Sequence, residues 1–165
     1  MLYNSFSFLL FFPIVATFFF LLPHRIRQGY LLVVSYFFYM NWSPTYSLFL
    51  VFVTLVSYVG AQILQKLCES ENDKLRRVVL ASTLLLCFSG LFIFKYLNFL
   101  NDSLWGVFSL IGIRMEVPHL ELLLPVGISF YTFQACGYMI DVYRRQIMVE
   151  RNFCTYALFI SFFPQ

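Results

Sequence analysis

Long apolar blocks alternate with short polar clusters along this chain, and the block lengths are those of membrane-crossing helices. The first block runs from Leu2 to Leu22 with Pro13 inside it, a residue that helices tolerate better in lipid than in water. The basic cluster Pro23-His24-Arg25-Ile26-Arg27-Gln28-Gly29 reads as the turn that ends it. Further blocks predict helices at about 30–42, 46–64, 78–94 and 122–143, and a last one begins near Phe153 and continues to 165. A crossing needs about 17–25 residues. The block at 30–42 is short by that measure, so it either sets its aromatic ends in the interface or crosses a locally thin region. Asn41-Trp42-Ser43-Pro44 breaks the second block from the third, and 65–77, with Lys66, Glu69, Glu71, Asp73, Lys74, Arg76 and Arg77, reads as a polar loop. After Phe94 the pattern is mixed: apolar runs alternate with Asn98, Asn101, Asp102, Gly106, Gly112 and Pro118. That mixture predicts an interfacial or re-entrant segment over about 97–113.

Composition sharpens this reading. Only 12% of the residues are charged, against about 25% in a soluble domain. Hydrophobic residues make up 61% and Phe alone occurs 22 times, too much apolar surface for 165 residues to bury in water. The expected class is an all-α, polytopic transmembrane protein, with residues 1–165 forming a single membrane domain whose surroundings are membrane lipids. A net charge of +3 gives no basis for nucleic-acid binding. The start carries no basic n-region and no small-residue cleavage site, so the first block is expected to be a retained helix. Cys68, Cys87, Cys136 and Cys154 have neither CxxC nor zinc-like spacing and read as small buried hydrophobes, so no metal site is expected.

Positive charge favours the cytoplasmic side of a membrane. If each of the first five blocks crosses once, Arg25, Arg27, Lys66, Lys74, Arg76, Arg77, Arg144, Arg145 and Arg151 share one side, and only Lys95 and Arg114 lie on the other. The N-terminus is therefore expected outside.

The polar residues inside apolar blocks are the candidates for function, because each costs free energy in hydrocarbon unless it is paired or lines a wet cavity. Phe130, Gln134, Gly137 and Asp141 recur at steps of three and four and share a helix face. Gln134 either bonds a neighbouring backbone, with glycines permitting close helix approach, or serves a functional polar surface. Asp141 and Arg145 have the i,i+4 spacing of a helix-end ion pair, a more economical reading than a catalytic carboxylate. Lys95 either snorkels to the interface or opens onto a wet cavity. His24 and His119 are the two histidines, and neither lies in a motif with an acid or nucleophile. From the residues alone, no catalytic centre is identifiable.

Several strings nevertheless occur together in a recognisable order. Leu124-Pro-Val-Gly-Ile-Ser-Phe-Tyr-Thr-Phe-Gln134 with Ile140-Asp141-Val-Tyr-Arg144 resembles a signature of bacterial membrane-bound O-acyltransferases, in particular the alginate O-acetyltransferase-like branch. Phe94-Lys95-Tyr96-Leu97-Asn98-Phe99, Arg151-Asn152-Phe153 and 159–165 are similar to other strings of that family, as is 31–39 followed by Trp42. The resemblance implies the N-terminal part of a multi-helix acyltransferase core in the bacterial cytoplasmic membrane, with helices around a tunnel. It implies an acyl group, most simply acetyl, arriving from a cytoplasmic thioester donor (acetyl-CoA or an acyl carrier), with no bound cofactor. The acceptor would be an exported polysaccharide or a periplasmic or extracellular partner acyltransferase, with polysaccharide-export proteins as further partners. The family's catalytic histidine would lie in a later helix, so no catalytic residue is assigned here. Gln134, Ser129, Tyr131, Asp141, Lys95 and Asn98 become tunnel-lining or structural candidates. The contrasting expectation is a non-catalytic membrane scaffold or transporter-like module.

The charge asymmetry makes a direct prediction. A cysteine introduced at Asp102 should react with an impermeant thiol reagent added to intact cells, and one at Asp73 should not; the reverse pattern would overturn the orientation.

Overall fold

A computed structural model describes the backbone of residues 6–42, 44–69, 72–110 and 127–162, and the side chains of these except 6, 7, 25, 42, 44–46, 69 and 94–110. Among the described residues all regular structure is helical. Six helices follow one another: α1 Phe6–Leu21, α2 His24–Trp42, α3 Pro44–Glu69, α4 Asp73–Leu110, α5 Ile128–Tyr143 and α6 Phe153–Ser161.

The outer surface is apolar on every helix: Leu9, Val33, Leu48, Leu85, Phe133 and Phe159 are all exposed. A soluble protein would hide such residues; a protein dissolved in lipid need not. Ser47–Cys68 of α3 and Asp73–Ile93 of α4 are long and apolar enough to cross a membrane, and Phe8–Leu21 is apolar but shorter. The chain is an all-α membrane protein.

α3 is the hub, packing against α2, α4, α5 and α6, whereas among the described residues α1 touches α2 alone. Its buried positions Leu50, Val53, Thr54, Ser57, Ala61 and Leu64 recur every three or four residues, which builds one continuous face. Small residues on that face let backbones approach. A methyl group added to Gly60 would sit 2.7 Å from Thr83 Oγ1 of α4 and 3.0 Å from Met139 Cε of α5, so this glycine sets the three-helix contact. The hydroxyls buried here stay satisfied: Thr54 Oγ1 donates to the Leu50 carbonyl at 2.7 Å, Ser57 Oγ donates to the Val53 carbonyl at 2.6 Å, and Tyr156 Oη of α6 donates to Ser57 Oγ at 2.7 Å.

The helices outrun the blocks predicted from hydropathy, for a common reason. Polarity alone does not end a helix; a proline, a positive-φ residue or a competing cap does. The basic cluster 23–29 is helical from His24 onward. Arg27 reaches back, donating through Nε to the Leu22 carbonyl at 2.9 Å and through Nη2 to the Phe20 carbonyl at 3.3 Å, and its guanidinium lies 5.2 Å from the Phe19 ring centre. It thus caps the end of α1. The extra turn gives α2 19 residues, about 28 Å at 1.5 Å each, which removes the shortness read at 30–42. The polar loop read at 65–77 is helical at both edges, with α3 continuing to Glu69 and α4 starting at Asp73, and residues 70 and 71 lie outside the described residues. Asn72 caps α4 by accepting from the Leu75 N–H at 3.3 Å. The break placed after Phe94 is also absent: α4 runs on to Leu110, so most of the interfacial segment read at 97–113 belongs to the same helix. No proline interrupts that stretch. Its 38 residues span about 57 Å, well beyond hydrocarbon about 30 Å thick. Residues 111–113 of the predicted segment, and 122–126 of the helix predicted at 122–143, lie outside the described residues.

Arg76 joins α4 to the end of α5. It is 5% exposed, donates through Nη2 to the Tyr143 carbonyl at 2.5 Å, lies 5.0 Å from the Tyr143 ring centre, and pairs with Asp73 at 3.2 Å. A cation in the first turn of its own helix is unfavourable for α4, but the same charge sits at the negative end of α5. Arg76→Ala should therefore lower stability by about 1.5–3 kcal/mol, the range for a hydrogen bond to a charged group. Asp73→Ala, which removes an exposed partner, should cost about 0–1 kcal/mol. Thermal unfolding of both variants in one detergent checks the order; equal losses would show that Arg76 acts only through Asp73.

Candidate functional site

α5 carries the candidate motif. It begins after Gly127, whose φ of 82° lies in the left-handed region where glycine is at ease. The packed face consists of Ile128, Tyr131, Thr132, Ala135, Cys136, Met139 and Val142. This differs from the face expected from sequence. Phe130 is exposed, Asp141 is half-buried, and a side chain added at Gly137 would meet nothing within 4 Å. Among the described residues, then, Phe130, Gly137 and Asp141 lie off the packed face, and the close helix approach occurs at Gly60 instead. Periodicity identifies shared faces but not which of two adjacent faces is packed.

Gln134 does make the backbone contact that was one of its two readings: Nε2 donates to the Phe159 carbonyl of α6 at 2.9 Å. Its Oε1 is buried without a partner among the described residues. Three residues earlier, Tyr131 is 3% exposed, its ring centre 6.2 Å from that of Phe49, and its hydroxyl is likewise buried without a partner. Ser129, in the first turn of α5, is half-buried. The structure thus brings Ser129, Tyr131 and Gln134 onto the first half of one helix. Two acceptor-capable oxygens in apolar surroundings are costly to leave unpaired and well suited to holding a hydrogen-bond donor in place.

The other candidates do not join them. Asp141 lies near the opposite end of α5 and forms no ion pair with Arg145. The i,i+4 pair fails because the helix stops at Tyr143. The Arg145 N–H bonds the Val142 carbonyl and the Gln146 N–H bonds the Asp141 carbonyl, a Schellman ending that puts Arg145 at φ 61°. Lys95 and Asn98 lie on α4, and their side chains are outside the described residues. His24 opens α2 and is exposed, and His119 lies outside the described residues. Cys87 of α4 and Cys136 of α5 are buried in the same apolar core as small side chains. Among the described residues no three His, Cys, Asp or Glu side chains gather as metal ligands.

A second polar constellation went unnoticed in the sequence. Tyr58, Gln62 and Gln65 lie along one face of α3 and bind the backbone of the strap formed by 144–152 between α5 and α6. Tyr58 Oη donates to the Arg151 carbonyl at 2.7 Å, Gln62 Nε2 donates to the Glu150 carbonyl at 3.0 Å, and Gln65 Oε1 accepts from the Val149 N–H at 3.2 Å. From α5, Tyr138 Oη accepts from the Glu150 N–H at 2.9 Å. The strap ends at Asn152, which caps α6 by accepting from the Cys154 N–H at 3.0 Å. The i, i+4, i+7 spacing of Tyr58, Gln62 and Gln65 inside an apolar block was the available signal. Gln65 on the Val149 N–H and Arg76 on the Tyr143 carbonyl also bring the end of α3 and the start of α4 to the same end of the molecule as the strap.

Comparison with known proteins bears on the motif directly. "Probable alginate O-acetylase AlgI" of Azotobacter vinelandii is 36% identical over 167 residues, 99% of this chain and 32% of the relative. The protein of the same name from Pseudomonas aeruginosa is 36% identical over 166 residues, 99% of this chain and 31% of the relative. A peptidoglycan O-acetyltransferase of Helicobacter pylori is 31% identical over 160 residues, 82% of this chain and 29% of the relative. No family model matches the chain, and no solved structure matches it. The chain spans about a third of the length of these relatives. Along nearly its whole length the chain is homologous to that third of the alginate O-acetylases.

Proposed function

We propose that this chain forms part of a membrane O-acetyltransferase that passes an acetyl group from a cytoplasmic thioester to a hydroxyl of an exported polysaccharide or of a partner acyltransferase. The observation that carries the proposal is similarity along 99% of the chain to proteins named for O-acetylation of alginate, joined by one named for O-acetylation of peptidoglycan. Both names describe ester formation on a sugar hydroxyl, which a passive scaffold or transporter-like module would not share. In such a transfer the thioester C–S bond breaks, an ester C–O bond forms, and the hydroxyl proton passes through a base to the departing thiolate, which leaves as the free thiol. The described residues offer no base paired with a nucleophile, and we assign the base to the later helix in which the resemblance places the family's catalytic histidine. The acetyl donor is acetyl-CoA or an acyl carrier, and polysaccharide-export proteins are the natural neighbours. We further propose several crossings of the bacterial cytoplasmic membrane, with the N-terminus outside and the strap end in the cytoplasm. The charge asymmetry and the meeting of the end of α3 and the start of α4 with the strap at one end support that arrangement.

Within this scheme Tyr131 and Gln134 act as positioning residues. Their free oxygens hold a donor group of the tunnel wall or of the catalytic helix, while the Gln134 amide ties α5 to α6.

Two outcomes test the scheme. Residues 1–165 expressed in cells that lack the parent enzyme should leave polysaccharide unacetylated, and restored acetylation would overturn the assignment of the base elsewhere. In the full-length protein, Gln134→Leu removes one interhelical hydrogen bond, worth about 0.6–2 kcal/mol, and should leave most of the protein folded. Acetylated product per unit of folded protein should fall much further than the amount of folded protein. Wild-type specific activity in the variant would reduce Gln134 to a packing contact.

A further inference from the structure

The strap roofs a cavity of about 330 Å³ that the acyl-transfer scheme does not use. Gln65 and Cys68 of α3, Val142 of α5, and Arg145, Gln146 and Val149 of the strap line it. Its size lies at the lower end of small-ligand sites, about 300–1,000 Å³. Three features of this cavity point to one kind of occupant.

The first is the state of Arg145. Its guanidinium has no hydrogen-bond or ion-pair partner among the described residues. Neither nearby carboxylate engages it: Asp141 makes no ion pair, and Glu150 Oε1 accepts from the Asn152 N–H at 2.8 Å. The Arg145 backbone is held at φ 61° by the helix-ending hydrogen bonds, at a position where glycine would be unstrained. A long cationic side chain is thus kept at a glycine position and aimed at a cavity without a counter-charge.

The second is depth. The apolar stretch of α3 ends at Cys68 and that of α4 begins at Asp73, so the cavity lies where crossing helices leave hydrocarbon and headgroups begin. The third is the rim. Met148 is 91% exposed and Ile147 is 41% exposed, beside exposed Arg144 and Arg145. Apolar side chains next to unpaired cations at the membrane boundary match a molecule with a phosphate at one end and acyl chains at the other.

We infer that the cavity under the strap is a binding site for an anionic phospholipid. Its phosphate is held by Arg145, with Gln146 and the Gln65 amide as neutral donors, and its acyl chains pass Ile147 and Met148. The inference rests on the proposed crossing of α3 and α4 but not on the acetyl-transfer reaction. A lipid there would fix the strap that joins α5 to α6, and with it the helix end that Arg76 caps.

The test uses the full-length protein in nanodiscs of phosphatidylcholine with a minor share of phosphatidylglycerol, with retained lipid read by native mass spectrometry. Both leaflets are present in a nanodisc, so an inverted topology leaves the readout unchanged, and no activity is measured. The wild type should retain phosphatidylglycerol. Arg145→Gly should lower retention about fivefold, the factor expected for one basic residue at an anionic surface. Because it relieves the backbone strain, the same variant should melt at or above the wild-type temperature in pure phosphatidylcholine. Arg151→Gln, which removes an exposed charge that does not line the cavity, should retain lipid as the wild type does. Undiminished retention in Arg145→Gly would overturn the site. Equal losses in both variants would replace it with diffuse surface attraction. Displacement of the lipid by coenzyme A would reassign the cavity to a soluble phosphate.

Discussion

Backbone polar groups that leave one apolar helix and return in another need partners, and here α3 supplies them. Tyr58, Gln62 and Gln65 take up the Arg151 and Glu150 carbonyls and the Val149 N–H. Without those three side chains, two carbonyls and one N–H of the nine-residue stretch between α5 and α6 would lose these partners. With them, α5 can end, turn and re-enter as α6 against the same helix that already organises α2 and α4. An adjacent face of α3 does different work: it is lined by Leu50, Val53, Ser57, Gly60 and Ala61, which bring the neighbouring backbones close. One helix therefore serves as both the packing hub and the source of hydrogen bonds for the single strap described in detail.

Fold class was legible because it depends on bulk quantities. An excess of apolar residues in long blocks has few physical outcomes other than helices in a membrane, and the blocks correspond to the helices. Boundaries were less legible. Hydropathy reports where a helix would leave hydrocarbon, not where its hydrogen bonding stops. The clusters at 23–29 and 65–77 are helical at their edges because Arg27 and Asn72 supply caps that a hydropathy profile does not register. Continuity through Phe94–Leu100 has the same origin, since polar residues such as Lys95 and Asn98 change the solvent a helix prefers without changing its backbone.

The candidate site was legible in kind and only partly in arrangement. An amide in mid-block had to find a partner, and Gln134 finds one on α6. Which neighbour it would find depended on how α6 returns, and that depends on strap contacts between residues 84 to 93 positions apart in sequence. Asp141 and Arg145 illustrate the opposite error. Their spacing is right for an ion pair only while the helix continues, and the turn at Arg144 and Arg145 rotates the second residue away. The sequence carries no glycine at the left-handed position to warn of that ending.

These contacts leave the two halves of α5 in contrasting states. The second half is anchored several times over: Tyr138 accepts from the strap, Arg76 caps the Tyr143 carbonyl, and the Schellman hydrogen bonds close the end. The first half packs well through Ile128 and Thr132 but keeps the Tyr131 hydroxyl and the Gln134 carbonyl oxygen buried and unpaired among the described residues. A buried polar group without a partner costs about 1–3 kcal/mol, so two of them would be a poor arrangement for a helix whose only task is packing. An apolar residue at either position would pack without that cost. In the proposed scheme the anchored half of α5 would define where the two unpaired oxygens lie, and so where they could position a donor group. That division of labour, rather than any one residue in it, is the strongest physical reason to treat α5 as a functional element.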